Sequence, residues 1–189
     1  MGIPTEPIGS IPRPAELVAA LQSGVGGEEL AALEDDAVRS TIAELEATGS
    51  PVITDGEQRK PSFATYPVAG LETLGADGVV IPFADGHTRR LPVLTVGPFR
   101  YSIYAGSYVE AARPFASRPL KQAVISASAL SLLYPADGID GYSRDAFIAD
   151  LVDEAEADIR SCFAAGAESV QIDCTEGPLS LKLGPSGGL

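Results

Sequence analysis

Apolar residues recur along this chain in two rhythms, and the change from one to the other marks its organisation. Between residues 28 and 48, Leu30, Leu33, Ala37, Val38, Ile42 and Leu45 fall on one helical stripe, which predicts a helix closing at Gly49. Between 144 and 165 a second stripe runs through Phe147, Leu151, Ala155, Ile159 and Phe163, with Ile148 and Val152 beside it. Ser143 is suited to cap that helix and Gly166 to end it. A shorter helix is expected through Leu17, Val18 and Leu21, entered at Pro14 and broken by Gly24, Gly26 and Gly27.

The other rhythm is that of strands. Pro51-Val52-Ile53-Thr54 reads as a short strand running into Asp55-Gly56-Glu57. Val124-Ile125-Ser126 and Ser169-Val170-Gln171-Ile172-Asp173 read as core strands. From about 76 to 112 lies a β-rich insertion, in which residues 79–83 and 91–96 flank Asp85-Gly86 as a hairpin. The core order is strand, helix, strand, insertion, strand, helix, strand. Such alternation predicts an α/β fold with a parallel sheet. Ser10, Asp55 with Glu57, and Asp173 would then share one pole, where a (β/α)8 barrel carries its chemistry. A doubly wound open sheet is the alternative, but its glycine-rich dinucleotide fingerprint is absent from the first strand–helix turn.

Composition narrows the function classes. The 189 residues are 45% hydrophobic and 21% charged, enough apolar material for one sizeable core. The formal net charge of −13 repels phosphate, so neither nucleic acid nor an anionic membrane surface is an expected partner. No apolar run approaches the roughly 20 residues that span a bilayer. The two cysteines, Cys162 and Cys174, make no disulfide framework, and a reduced, cytoplasmic protein is expected.

Three places carry candidate chemistry, each with a plainer alternative. Gly56 allows a sharp strand-end turn that would project Glu57 over the sheet pole, where a carboxylate can hold an ammonium, act as a base or bind metal; the alternative is a solvated surface turn. Asp173 directly follows an apolar strand, where an acid is costly unless it serves a ligand, a cap or an ion pair. Ile8-Gly9-Ser10 offers backbone amides and a hydroxyl to a carboxylate or pterin edge, or is a simple turn. Cys174 is expected to be a packed thiol, Glu176 a loop contact to substrate, and His87, the sole histidine, a solvated turn residue. One histidine and two distant cysteines match no zinc site of known spacing.

Taken together, Ile8-Gly9-Ser10-Ile11-Pro12-Arg13-Pro14, then Thr54-Asp55-Gly56-Glu57, then Gln171-Ile172-Asp173 resemble the successive motifs of cobalamin-independent methionine synthase. The likeness is strongest to its single-domain relatives, the 5-methyltetrahydropteroyltriglutamate–homocysteine methyltransferase-like proteins, and extends over 78–99, 121–135 and 175–189. It implies a partial TIM-type (β/α)8 barrel, about the first four βα units, with the β-hairpin inserted. It further implies methyl transfer from a 5-methyltetrahydrofolate to homocysteine or another small thiol, with zinc as cofactor. By match of motif, Glu57 and Asp173 would hold the homocysteine ammonium, and Ile8 and Ser10 would contact its carboxylate. Asp173 is followed by Cys174 and Thr175, where the full synthases carry Glu-Pro, and related enzymes use coenzyme M or other thiols.

No helix is expected after the strand at 169–173, and the family's zinc ligands follow that strand. Residues 1–189 are therefore expected to be the N-terminal half of such a barrel, with the zinc-binding half elsewhere and the chain inactive alone. The alternatives are a non-catalytic binding or assembly half of a split enzyme, partnered by a complementary half or by itself, and another zinc-dependent thiol alkyltransferase or lyase of the same fold.

Overall fold

The computed structural model describes residues 5–82, 86 and 88–175. The helical rhythm translates almost residue for residue. Helix α1 spans Ala15–Gln22, α2 Gly27–Ala47, α3 Gly106–Ala112, α4 Ala127–Leu130 and α5 Arg144–Ala164. Helix α2 buries Ala37, Val38, Thr41 and Ile42, while Leu30, Leu33 and Leu45 are only half-buried. Ser143 caps α5 by accepting from the Ala146 amide at 3.1 Å, and Gly166 leaves the helix at φ +98°.

The buried face of α5 differs from the expected stripe. It runs through Phe147, Leu151, Glu154, Asp158 and Cys162. Phe163 and Val152 are exposed instead. The acids replace apolar residues on the inner face because segment 99–105 supplies hydroxyl and amide donors to them. The Tyr101 amide and the Tyr104 hydroxyl reach Glu154 at 3.0 and 2.5 Å. The Ala105 amide reaches Asp158 at 2.6 Å, and the Tyr66 hydroxyl bonds the same carboxylate. Phe147 packs into an aromatic cluster with Phe99, Tyr134 and Tyr142.

The strands depart further from expectation. Strands β1 (Leu74–Gly75) and β4 (Val93–Leu94) pair antiparallel, as do β2 (Val80–Pro82) and β3 (Thr88–Arg90). The hairpin is thus real, but its second strand is 88–90 rather than 91–96. Pro92 has no amide hydrogen, so the ladder stops after Leu91 donates to Val79 at 2.9 Å, and the chain passes to a different partner. Phe83, Asp85 and His87 lie outside the described residues, as does Glu176.

The regular parallel sheet comprises β5 (Lys121–Ile125) and β6 (Ser169–Asp173), with Lys121 opposite Ser169 and Ile125 opposite Asp173. Residues 51–54 contribute only a parallel bridge, Ile53 opposite Leu120, in place of the expected strand. The turn at 55–58 begins at once, and the Thr54 hydroxyl is drawn into it by the Gly56 amide at 3.2 Å. Among the described residues the four expected βα units are therefore two regular strands plus two extended segments, and no closed barrel is formed. The segments keep the expected order, since the Ile11 amide donates to the Gly56 carbonyl at 3.0 Å.

The second face of α5, with Val152, Ala155, Ile159 and Phe163, meets Ile125 and Ile172 along an open groove of about 500 Å³. Ile172 is 52% exposed there. Among the described residues no helix is long and apolar enough to cross a membrane.

Candidate functional site

Parallel pairing brings the C-terminal ends of 53–57, β5 and β6 to one pole. The Ser126 amide donates to the Asp173 carbonyl at 3.1 Å, so the ends of β5 and β6 stay together. Ser126 also caps α4, its hydroxyl accepting from the Ala129 amide at 3.1 Å.

The turn after Thr54 is the most constrained piece of backbone at this pole. Gly56 sits at φ +65°, and a Cβ there would lie 2.6 Å from the Thr41 methyl, so glycine is required. Glu57 follows at φ +56°, the one described non-glycine residue in the left-handed region. Such a conformation costs roughly 1–3 kcal/mol and persists only when its surroundings enforce it. They do: the Asp55 carboxylate accepts from the Glu57 amide at 2.9 Å, and Arg13 reaches the carbonyls of Glu57 and Gln58 at 3.2 and 3.1 Å and that of Lys60. Arg59 ties the turn to α2 through Glu34 at 3.3 Å and Asp35 at 2.5 Å.

The Glu57 side chain is buried, not solvated. One oxygen accepts from the Ser10 hydroxyl and the other from the Lys60 ammonium at 2.9 Å. Gly9 lies against the same carboxyl: a Cβ there would be 3.6 Å from Glu57 Cδ and 3.5 Å from Ala123 Cβ. Gly9, Ser10, Glu57 and β5 thus converge, whereas the Ile8 side chain points outward and is exposed, which leaves it only backbone groups to offer. Asp173 is half-buried and accepts from Gln171 Nε2 at 2.7 Å; Gln171 Oε1 in turn accepts from Lys121 at 3.1 Å. Lys121 also faces Glu6 at 3.4 Å.

Asp55 completes the cluster. It is buried, its Oδ2 has no hydrogen-bond partner, and burial holds its carboxyl above the ordinary range against the opposing pull of Lys60. Lys60, Lys121 and Gln171 were not candidates from the sequence. The signals were there: a lysine three positions after Glu57 in a tight turn, and charged and amide side chains inside two apolar strands.

The thiols behave differently from expectation. Cys174 is exposed rather than packed, and Cys162 is the buried one, its thiol pushed up to about 12 by burial. Among the described residues no group of three or more His, Cys, Asp or Glu side chains is arranged to hold a metal ion.

No protein-family pattern matches the chain, and no curated protein sequence does. Solved structures do. A B12-independent methionine synthase from Shewanella sp. W3-18-1, in complex with selenomethionine, matches 98% of this chain and 55% of its own, with a TM-score of 0.73 and 21% identity. A putative vitamin-B12 independent methionine synthase from Listeria monocytogenes matches 88% of this chain and 50% of its own, with a TM-score of 0.66 and 20% identity. The chain spans about half the length of the structures it matches, and over that half it has the mixed α/β fold of B12-independent methionine synthases.

Proposed function

We propose that this chain is the amino-acid-binding half of a methionine-synthase-type catalytic domain, acting in methyl transfer from 5-methyltetrahydrofolate to a small thiol, homocysteine first among them. The observation that carries this reading is Glu57. A buried glutamate held at φ +56° at a sheet pole is strain maintained for a purpose, in a chain whose fold follows a methionine synthase over 98% of its length. Under this reading Glu57 and Asp173 take the ligand ammonium, and the backbone of Ile8 with Ser10 takes its carboxylate. Charge-assisted hydrogen bonds of this kind orient the amino acid and discriminate against thiols without an amine. Zinc would activate the thiol in such an enzyme, and the described residues do not assemble a site for it.

Calorimetry with homocysteine tests the reading. Glu57→Gln and Asp173→Asn should each weaken binding by about 10- to 100-fold, the worth of one hydrogen bond to a charged group. Unchanged affinity in both variants would remove the assigned roles. A second reading, a non-catalytic assembly half, is favoured by the apolar groove between α5 and Ile172. Its signature is self-association through that groove, seen in sedimentation, with no homocysteine binding by wild-type chain.

A further inference from the structure

Lysines are almost never fully buried unless paired. Lys60 is 1% exposed, and its ammonium meets Glu57 Oε1 at 2.9 Å, the Ala123 carbonyl at 2.6 Å and the face of Tyr66 at 4.5 Å from the ring centre. Glu57 is 5% exposed, and Ser10 takes its other oxygen. Ala123 lies in β5 opposite Gln171, the residue that holds Asp173. Lys60 therefore reaches from the turn bearing one candidate carboxylate to the strand whose neighbour bears the other.

We infer that Lys60 is a positioning residue of the site: it keeps the buried Glu57 carboxylate charged and aimed, so that a ligand ammonium meets an ionised acceptor. The ligand part rests on the function proposed above; the pairing of Lys60 with Glu57 does not. A buried carboxylate deprived of a counter-charge takes up a proton rather than bear the cost of desolvation. A protonated Glu57 would offer an ammonium far less. The charged and titratable groups facing this pair are Asp55, Arg13, Tyr66, Tyr108, Asp158 and Cys162. Asp55 is itself pushed towards its neutral form by burial, and Arg13 is committed to backbone carbonyls, so neither replaces Lys60.

If Lys60 only filled space beneath Tyr66 and Tyr108, its loss would lower stability and leave proton affinities alone. Carboxyl ¹³C NMR on glutamate-labelled chain separates the two, with the Glu57 signal identified by its loss in Glu57→Gln. Lys60→Met should raise the Glu57 titration midpoint by about one pH unit or more, and Lys60→Arg should bring it back towards wild type. Homocysteine affinity of Lys60→Met should fall below that of wild type, most at the lowest pH, with the deficit shrinking as pH rises. A Glu57 midpoint unmoved by Lys60→Met overturns the inference. Should Lys60→Met not fold, Glu57→Gln combined with Lys60→Met decides: recovery of folding upholds the charge pairing, and a double variant no better than the single overturns it. Wild-type chain that fails to bind homocysteine would sink the proposed function, while the titration still judges Lys60.

Discussion

Two clusters of buried acids sit in this molecule, and they are built from different partners. On the inner side of α5, Asp158 and Glu154 accept from tyrosine hydroxyls and backbone amides, and half-buried Asp150 accepts from Tyr142 at 2.5 Å and pairs with Arg100 at 2.6 Å. Each fixes part of segment 97–105 to the helix, and the backbone there needs no left-handed residue. In the 55–60 turn, Glu57 has a lysine and a serine, Asp55 has an oxygen without a partner, and the backbone is held in a costly conformation. Burial of an acid thus says little by itself. Acids filled mainly by hydroxyls and amides of a distant segment, with Arg100 beside Asp150 and Glu154, are the rivets of the fold. The turn differs in having a buried lysine beside Glu57, an unpartnered oxygen on Asp55 and a left-handed backbone, features that under the proposed function serve a ligand.

The contrast is broken most severely at Asp158. Asp158→Ala leaves the Tyr66 hydroxyl and the Ala105 amide buried without acceptors, and should cost about 3 kcal/mol in urea unfolding. A loss below about 1 kcal/mol would remove Asp158 from the rivets. The next effect is one of pH. Burial raises the Asp55 carboxyl, so the folded protein binds its proton more tightly than the unfolded chain does. Its contribution to stability is present below the ordinary carboxylate range, about pH 4, and is lost as pH rises through the higher folded value. Asp55→Asn keeps an acceptor for the Glu57 amide and removes that penalty. It should be more stable than wild type at pH 7, with the gap closing towards pH 4 in parallel thermal melts. A gap independent of pH would mean that burial does not raise the Asp55 carboxyl. The smallest effect is expected from Tyr104→Phe, which removes one hydroxyl from Glu154 while leaving the Tyr101 amide in place. About 1 kcal/mol should be lost. The same variant should leave homocysteine affinity unchanged under the proposed function, because the Tyr104 hydroxyl bonds Glu154 and not the 55–60 turn.

The comparison also explains what was readable in the sequence. Helices α2 and α5 emerged nearly to the residue because their signals are local: an apolar period, Ser143 before, Gly49 and Gly166 after. The inner face of α5 was missed because Glu154 and Asp158 are buried by donors some fifty positions away, which no helical period reveals. The hairpin was found and its second strand misassigned, since Pro92 hands the chain to β1 and strand pairing is not a local property. At the site, Glu57 stood out through Gly56, whose left-handed turn is a local requirement. Lys60 did not, because its worth lies in an ammonium seated between Glu57 and a carbonyl of β5.

The groove beside α5 has a consequence for handling the protein. Among the described residues β6 is bonded to a neighbour on one side only, and Ile172, Val152 and Phe163 lie exposed beside it. One flank therefore combines free peptide groups with a largely apolar wall, in a chain whose formal net charge is −13. Dilute buffer keeps such molecules apart by mutual repulsion. Ammonium sulfate screens that repulsion and strengthens apolar association together, so the chain should salt out early, flank to flank, while still folded.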